Sequence, residues 1–319
     1  MRLSVICPVY NERETIPLFF ERFRTAMAEV SGQFDLELIF VDNCSDDGTP
    51  DAIRELHDDT IEIFHIRLAR NFGYQSSLVG GLTYATGDLI VNIDVDCEDP
   101  PELIPRFLDG WRSGYDVVYG IRQGRPESMM MVAVRKLFYR ITRQIADSDF
   151  VLDMAEFVLM TRQVRDAVLR TETSFPFIRS EIGYAGFRRM GIAYDRQPRI
   201  AGVSNYNLPG LVRFAVAGML SASTAPLRLI AYFGLPLGML NLAGLLAALF
   251  VDIPTGFVRW VEVADLTFLI LSTCFLAIYL ARIYKNGLMR PNFIVDSGRS
   301  RFPPRRSSLS GSPEHADSS

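Results

Sequence analysis

The sequence predicts an α/β fold on a mainly parallel sheet, followed by a two-helix membrane hairpin. Three observations lead there. Short apolar runs at 3–6, 36–41, 61–68 and 89–93 alternate with helix-patterned stretches, the order that builds a parallel sheet with right-handed crossovers. The second and fourth runs end in acidic residues, Asp42 and Asp94, at the strand ends beyond which such sheets bind ligands. The last third is much more apolar than the rest, with an uncharged run from 229 to 251.

The first run is closed by Pro8-Val9-Tyr10-Asn11-Glu12. A helix follows, because Ile16, Phe19, Phe20 and Phe23 recur at spacings of three and four. The second run exits into Asp42-Asn43-Cys44-Ser45-Asp46-Asp47-Gly48-Thr49, and Pro50 opens a helix over 50–56. The third leads through Arg70-Asn71-Phe72-Gly73-Tyr74-Gln75 into a small-residue helix over 76–85. The fourth ends in Asp94, Asp96, Glu98, Asp99 and Glu102, broken by the double proline at Pro100 and Pro101. Alternation puts Asp94, Asp96 and Glu98 on one side for as long as strand geometry lasts. Carboxylates this close repel, so they call for a compensating cation. Hard oxygen donors suit Mg²⁺ or Mn²⁺ carrying a substrate phosphate; the bland alternative is a solvated acidic turn.

A further short strand at 116–120 exits into Arg122 and Arg125, whose guanidinium forks suit a phosphate. Residues 129–145 read as a helix bearing Arg135, Lys136, Arg140 and Arg143, suited to a membrane surface or to an ordinary amphipathic role. In 150–162, Asp153 and Glu156 precede an apolar strand, and an acid there faces the crevice or caps a turn. The basic loop 194–206, with Arg196, Arg199, Gly202 and Ser204, closes over phosphates or links domains.

Net charge is −4 and no basic stripe interleaves with aromatics, which gives no case for nucleic acid, and no nucleic-acid partner is expected. Four cysteines lie scattered without metal-ligand spacing, as reduced thiols do. The N-terminal apolar run is too short for a signal peptide. At about 1.5 Å per residue, 229–251 crosses a bilayer core, and 263–283 supplies a second crossing. Arg213 and Arg228 precede the pair and Arg282, Lys285 and Arg290 follow it, while Arg259 alone lies between. The positive-inside rule then places both flanks in the cytosol. The expected division is a catalytic domain over 1–206, a juxtamembrane amphipathic segment over 207–228, the two spans, and a disordered cytosolic tail over 296–319.

Taken together, Cys7-Pro8-Val9-Tyr10-Asn11-Glu12, Val41 through Thr49, Arg70-Asn71-Phe72-Gly73 and Asp94 through Glu102 resemble the family 2 inverting glycosyltransferases of the Rossmann-like GT-A fold. Within that family the chain is similar to the polyprenyl-phosphate type, the bactoprenyl glucosyltransferases and dolichyl-phosphate mannose synthases. The likeness runs through Arg196-Gln197-Pro198-Arg199 and Gly202-Val203-Ser204-Asn205-Tyr206 to about residue 295. It implies a nucleotide-sugar held by Pro8, Tyr10, Asn11, Glu12, Asp42 and Asp94, and a metal on Asp94, Asp96 and Glu98. Catalytic roles fall to Asp94, Asp96 and Glu156. The acceptor phosphate falls to Arg122, Arg125, Arg135, Arg196, Arg199 and Ser204.

The reaction implied is hexose transfer from a UDP-glucose-like donor to undecaprenyl phosphate with inversion. Transfer from GDP-mannose to dolichyl phosphate and an inactive membrane scaffold of the same fold stay open. Donor, lipid phosphate and membrane are the expected partners, and a homo-oligomer is allowed. The chain departs from the family pattern at Asp42-Asn43, where two acids are usual, and at Ala155-Glu156-Phe157-Val158-Leu159, where Gly-Asp-Phe-Arg-Leu is common.

Overall fold

A computed structural model describes residues 1–123, 154–171, 173–200, 224–252 and 254–304. Seven strands form one sheet in the order β3-β2-β1-β4-β6-β5-β7. They are β1 Arg2–Val9, β2 Asp35–Asp42, β3 Ile61–Arg67, β4 Leu89–Asn92, β5 Val117–Gln123, β6 Met154–Thr161 and β7 Arg189–Asp195. The pairs β1/β2, β2/β3, β1/β4 and β5/β7 are parallel; β6 pairs antiparallel with both β4 and β5. The mainly parallel α/β expectation therefore holds, with β6 alone reversed.

Helices cover both faces, which is why β1 and β2 read as nearly unbroken apolar runs. On one face α1 (Thr15–Met27), α2 (Thr49–Glu55) and α4 (Ile104–Arg112) bury Phe19, Phe23, Ile53 and Phe107 against Phe40 and Phe157. On the other, α3 (Tyr74–Tyr84), α5 (Arg162–Leu169) and α6 (Ile178–Ala185) bury Leu78, Leu82, Val164 and Ile182 against Ile6, Ile39 and Ile66. The expected helices at 16–23, 50–56 and 76–85 correspond to α1, α2 and α3. Those expected over 129–145 and the segment 207–223 lie outside the described residues.

Two further helices, α7 (Ala225–Ala247) and α8 (Thr255–Gly287), are long and apolar enough to cross a membrane. Their bounds differ from the expected spans. The start of α7 takes in 225–228, assigned above to the juxtamembrane segment, and its end falls at Ala247. The start of α8 lies eight residues before 263, because 255–262 contains no helix breaker beyond Gly256. The expected disorder is corrected over 296–304: a 3-10 turn at Ser297–Arg299 and backbone bonds to β3 fix this stretch, since edge-strand N–H and C=O groups need partners. Residues 305–319 lie outside the described ones.

Candidate active site

The parallel strands β1, β2 and β4 all deliver their C-terminal ends to one edge of the sheet. Strand geometry ends at Asn92, after one more backbone bond from Ile93 N to Ile6 O at 3.0 Å. The acidic run beyond it is a turn, with Cys97 at φ 56°. This corrects the expected alternation of Asp94, Asp96 and Glu98, for a turn does not keep period two. Asp94 accepts a hydrogen bond from the Tyr74 hydroxyl at 2.7 Å. Asp96 accepts from Arg199 Nη2 at 3.0 Å and from the Glu98 backbone N–H at 3.0 Å. Glu98 instead forms an ion pair with Arg196.

Burial and the charges of Asp96 and Asp99 push the Asp94 carboxyl up to about 7, against the hydroxyl of Tyr74. Asp96 is also raised, by burial first, although the Arg199 guanidinium opposes this. Two neighbouring acids pushed toward neutrality, Asp94 half-buried and Asp96 buried, fit a divalent cation whose charge would hold both ionised. Asp94 and Asp96 fit that role. Glu98 is turned to Arg196, and among the described residues no group of three or more His, Cys, Asp or Glu side chains is arranged to hold a metal ion. Phosphate oxygens of a bound ligand would complete such a shell.

The basic residues sit among these acids. Arg122 grips Asp99 with two bonds of 3.0 and 2.7 Å, and the Tyr194 hydroxyl joins the same carboxylate. Burial alone would lower the Arg122 pKa, yet the Asp99 carboxylate holds the guanidinium charged. Arg199 also reaches Glu12 at 3.3 Å, tying the end of β7's following loop to the β1–α1 loop. Backbone bonds from Gln197 N to Glu98 O and from Ile200 N to Asp96 O, both 3.0 Å, lay that loop along the acidic turn. Arg22 adds a bidentate pair with Glu102 and a bond to Gln197 at 2.8 Å. Arg125, Arg135 and Ser204 lie outside the described residues.

Pro8 belongs to β1, and Tyr10 beyond it is 37% exposed, which leaves its ring open to a ligand. Asn11 takes φ 55° and donates its N–H to Ser45 Oγ at 3.0 Å. Asp42 is fully buried, not open to the crevice. It ion-pairs with Arg67 and accepts from Ser45 N at 2.8 Å. Burial would raise its pKa, but His65, Ser45 and Arg67 together hold it below the usual carboxylate range. Asn43 uses both ends of its amide: Nδ2 donates to Asn71 Oδ1 at 2.9 Å while Oδ1 accepts from Phe72 N at 2.8 Å. An acid at that position could not make the first bond.

Glu156 lies within β6, not ahead of a strand, and is 6% exposed. Gln75 donates to its Oε1 at 3.0 Å and Arg179 pairs with it at 2.8 Å, while Oε2 is buried without a hydrogen bond among the described residues. Tyr74, Gln75, Arg67 and Arg179 escaped the reading of the sequence. Tyr74 and Gln75 could have been found from the Arg70–Gly73 loop, which starts α3 at the strand-end edge; Arg67 and Arg179 carry no sequence signal. A cavity of about 680 Å³ lies beside this crevice, between α2, β3 and residues 298–301.

A family model described as Glycosyl transferase family 2 matches residues 4–157. The uncharacterized glycosyltransferase YkcC of Bacillus subtilis (strain 168) is 31% identical over 305 residues, which is 92% of this chain and 93% of that protein. The prophage bactoprenol glucosyl transferase homolog of Escherichia coli (strain K12) is 32% identical over 236 residues, 74% of this chain and 76% of that protein. Among solved structures, the complex of Mycobacterium tuberculosis glucosyl-3-phosphoglycerate synthase with Mn²⁺, UDP-glucose and phosphoglyceric acid matches with a TM-score of 0.50 and 19% identity. That match covers 69% of this chain and 79% of the other, and likeness at this identity concerns the GT-A fold alone.

Proposed function

This chain belongs to glycosyl transferase family 2, and from that premise we propose that it transfers a hexose from a UDP-glucose-like donor to undecaprenyl phosphate, with inversion, at the cytosolic face of a membrane. The observation that carries the donor half is the pair of carboxylates, half-buried Asp94 and buried Asp96, held where β4 opens onto the ligand edge of the sheet and both pushed toward neutrality. The bactoprenol name of the Escherichia coli relative and the two long apolar helices support the acceptor half.

In this reading Tyr10, Asn11 and Glu12 wall the nucleotide, with Pro8 beneath them. Asp42 acts from behind, through Ser45. A divalent cation on Asp94 and Asp96, Mg²⁺ or Mn²⁺, supplies positive charge for the departing diphosphate. An acceptor phosphate oxygen attacks the anomeric carbon from the side opposite the leaving diphosphate, and the C–O bond to that diphosphate breaks. Because a phosphate monoester is already anionic near neutrality, positioning and charge matter more than proton removal. Glu156 is the third catalytic side chain of the proposal, oriented by Gln75 and Arg179. Arg122, Arg196 and Arg199 are paired with Asp99, Glu98 and Asp96. They reach the acceptor phosphate by exchanging those carboxylates for it, alongside Arg125, Arg135 and Ser204.

Purified full-length protein with radiolabelled UDP-glucose, Mg²⁺ and undecaprenyl phosphate should yield labelled lipid, and Asp96→Ala should abolish both that product and cation-dependent UDP binding. Label in the lipid from GDP-mannose but not from UDP-glucose would move the assignment to the mannosyl type. No labelled lipid with any common nucleotide-sugar would remove it.

A further inference from the structure

The chain leaving α8 does not trail away. It returns to β3, the outer strand at that end of the sheet, and lies antiparallel to it. His65 N donates to Arg301 O at 3.0 Å and Arg301 N donates back at 2.7 Å. Ala69 N donates to Ile294 O at 2.8 Å, and Asp296 N donates to Arg67 O at 2.8 Å. Arg67 N in turn donates to Ser300 Oγ at 2.9 Å. Phe293 and Phe302 both pack on Tyr84 of α3, with ring centroids 6.5 and 5.1 Å away. Both backbone polar groups of Arg67 therefore end on residues that follow α8.

The side chain of Arg67 points the contacts onward. Its Nη1 pairs with Asp42, and its Nη2 donates to Ser45 O at 2.8 Å. Ser45 returns its N–H to Asp42 Oδ1 at 2.8 Å and accepts Asn11 N on its hydroxyl at 3.0 Å. That bond supports Asn11 at φ 55°, a left-handed conformation uncommon for residues with a Cβ and adopted more readily by Asn than by most. Its side-chain amide adds a reciprocal pair with Asp46, at 2.9 and 3.1 Å. A continuous series of direct contacts thus runs from the segment after α8 to the loop carrying Tyr10, Asn11 and Glu12.

We propose that residues 291–304 form a strap belonging to the donor half of the site, and that Arg67 is the positioning residue through which the strap fixes the loops at 10–13 and 43–48. The proposal rests on the nucleotide-sugar reading of those loops. Its physical basis is the fully buried Asp42, whose charge is offset by the Arg67 guanidinium beside it as well as by His65 and Ser45. A long arginine side chain holds one rotamer at an entropic cost, and anchoring its backbone on both sides reduces what remains to be ordered.

Asp296→Pro isolates the effect in the full-length protein. Asp296 already has φ −79°, so proline fits and removes the N–H given to Arg67 O. Asp296→Ala keeps that N–H and controls for the carboxylate. UDP affinity is measured by titration calorimetry with Mg²⁺, and amide hydrogen exchange is followed at Asn11 and Ser45. Asp296→Pro should weaken UDP about fivefold, the worth of roughly one net hydrogen bond, and speed exchange at both amides. Asp296→Ala should match wild type, and the KM for lipid phosphate should not move in either. Arg67→Gln should weaken UDP further, with partial recovery in Arg67→Lys; if Arg67→Gln does not fold, Asp296→Pro decides. The strap is overturned if Asp296→Pro folds, binds UDP within about twofold of wild type and leaves exchange unchanged. A wild-type chain that binds no UDP counts against the donor reading instead, and exchange at Asn11 and Ser45 then decides the strap alone.

Discussion

Asp94 illustrates how one residue concentrates the electrostatic cost of the site. Its carboxyl is pushed up to about 7 by burial and by Asp96 and Asp99. The unfolded chain ionises this group near the ordinary Asp value of about 3.9. Between the two values the folded protein holds a proton that the unfolded one has lost, so this group's contribution to stability falls as pH rises from about 4 to about 7 and is level above. Asp94→Asn should flatten that part of the profile; thermal unfolding from pH 5 to 8 with a chelator present checks it, and an unchanged slope would refute it. Asn43 gives a second case. Asn43→Asp keeps the acceptor for Phe72 N but loses the donor to Asn71, and should cost about 1–3 kcal/mol in unfolding midpoint measurements. At this scale Asp94 and Asp96 were legible because a short apolar run must end somewhere, and acids at its end are visible in sequence. Glu98 was not placed correctly, because the turn at Cys97 breaks the period on which the reading relied. Arg67 was invisible, since its meaning comes from Ser300, 233 positions away.

Among the elements, α3 does most to join fold and site. Its first turn supplies Tyr74 to Asp94 and Gln75 to Glu156, and Gln75 Oε1 also accepts Ile178 N at 2.9 Å from the start of α6. The helix reaches those carboxylates only by pressing onto β1, and Gly81 permits it: a Cβ there would overlap the Ile6 side chain. Its neighbour Gly80 differs, with Val41 at 3.6 Å and Phe293 at 3.8 Å, which is ordinary contact. The two glycines should therefore respond with opposite sign. Gly80→Ala gains helix propensity and stabilises by up to about 1 kcal/mol. Gly81→Ala meets an overpacking cost of about 1–3 kcal/mol that outweighs the same gain, and it should also lower transfer activity by displacing Tyr74 and Gln75. Thermal unfolding of the two variants side by side, with equal midpoints as the contrary result, tests the close approach. The small-residue run over 76–85 made this helix readable, whereas the direction of β6 was not, because an apolar run carries no sign of which way it crosses the sheet. β7 was missed for a related reason: Arg189 and Asp195 at its ends and exposed Met190 hide a strand that has a parallel neighbour on one side only.

For the whole molecule, the contacts at the end of α8 bear on the proposed membrane placement. Ser174 N donates to Asn286 Oδ1 at 3.0 Å in the last turn of that helix, and Ser174 Oγ donates to Lys285 O at 3.1 Å. Arg282 and Lys285 flank the Phe175 ring at 4.8 and 5.3 Å. The strap beyond then joins β3, so the C-terminal end of α8 lies against the sheet domain. α7 and α8 are both long enough to cross, 33 residues of α8 spanning about 50 Å at about 1.5 Å each, and in the proposed hairpin the turn between them would lie at the far side. In that placement the excess over the roughly 30 Å core would let α8 extend beyond the apolar layer. Inside that pair Asn241 donates to Asp265 at 2.8 Å, a polar contact between helices whose other faces are apolar. Sequence charge pointed to the same arrangement, since Arg282, Lys285 and Arg290 flank one end and Arg259 stands alone near the other. Single-cysteine variants in a background with Cys7, Cys44, Cys97 and Cys274 replaced by serine or alanine give the test. In intact spheroplasts a membrane-impermeant maleimide should label Asp252→Cys, in the turn between the helices, and leave Arg299→Cys on the strap unlabelled until the membrane is opened. Labelling of both before lysis, or of the strap alone, would place the sheet domain outside and remove the cytosolic reading, because a strap bonded to β3 cannot lie on the opposite side of the bilayer from it.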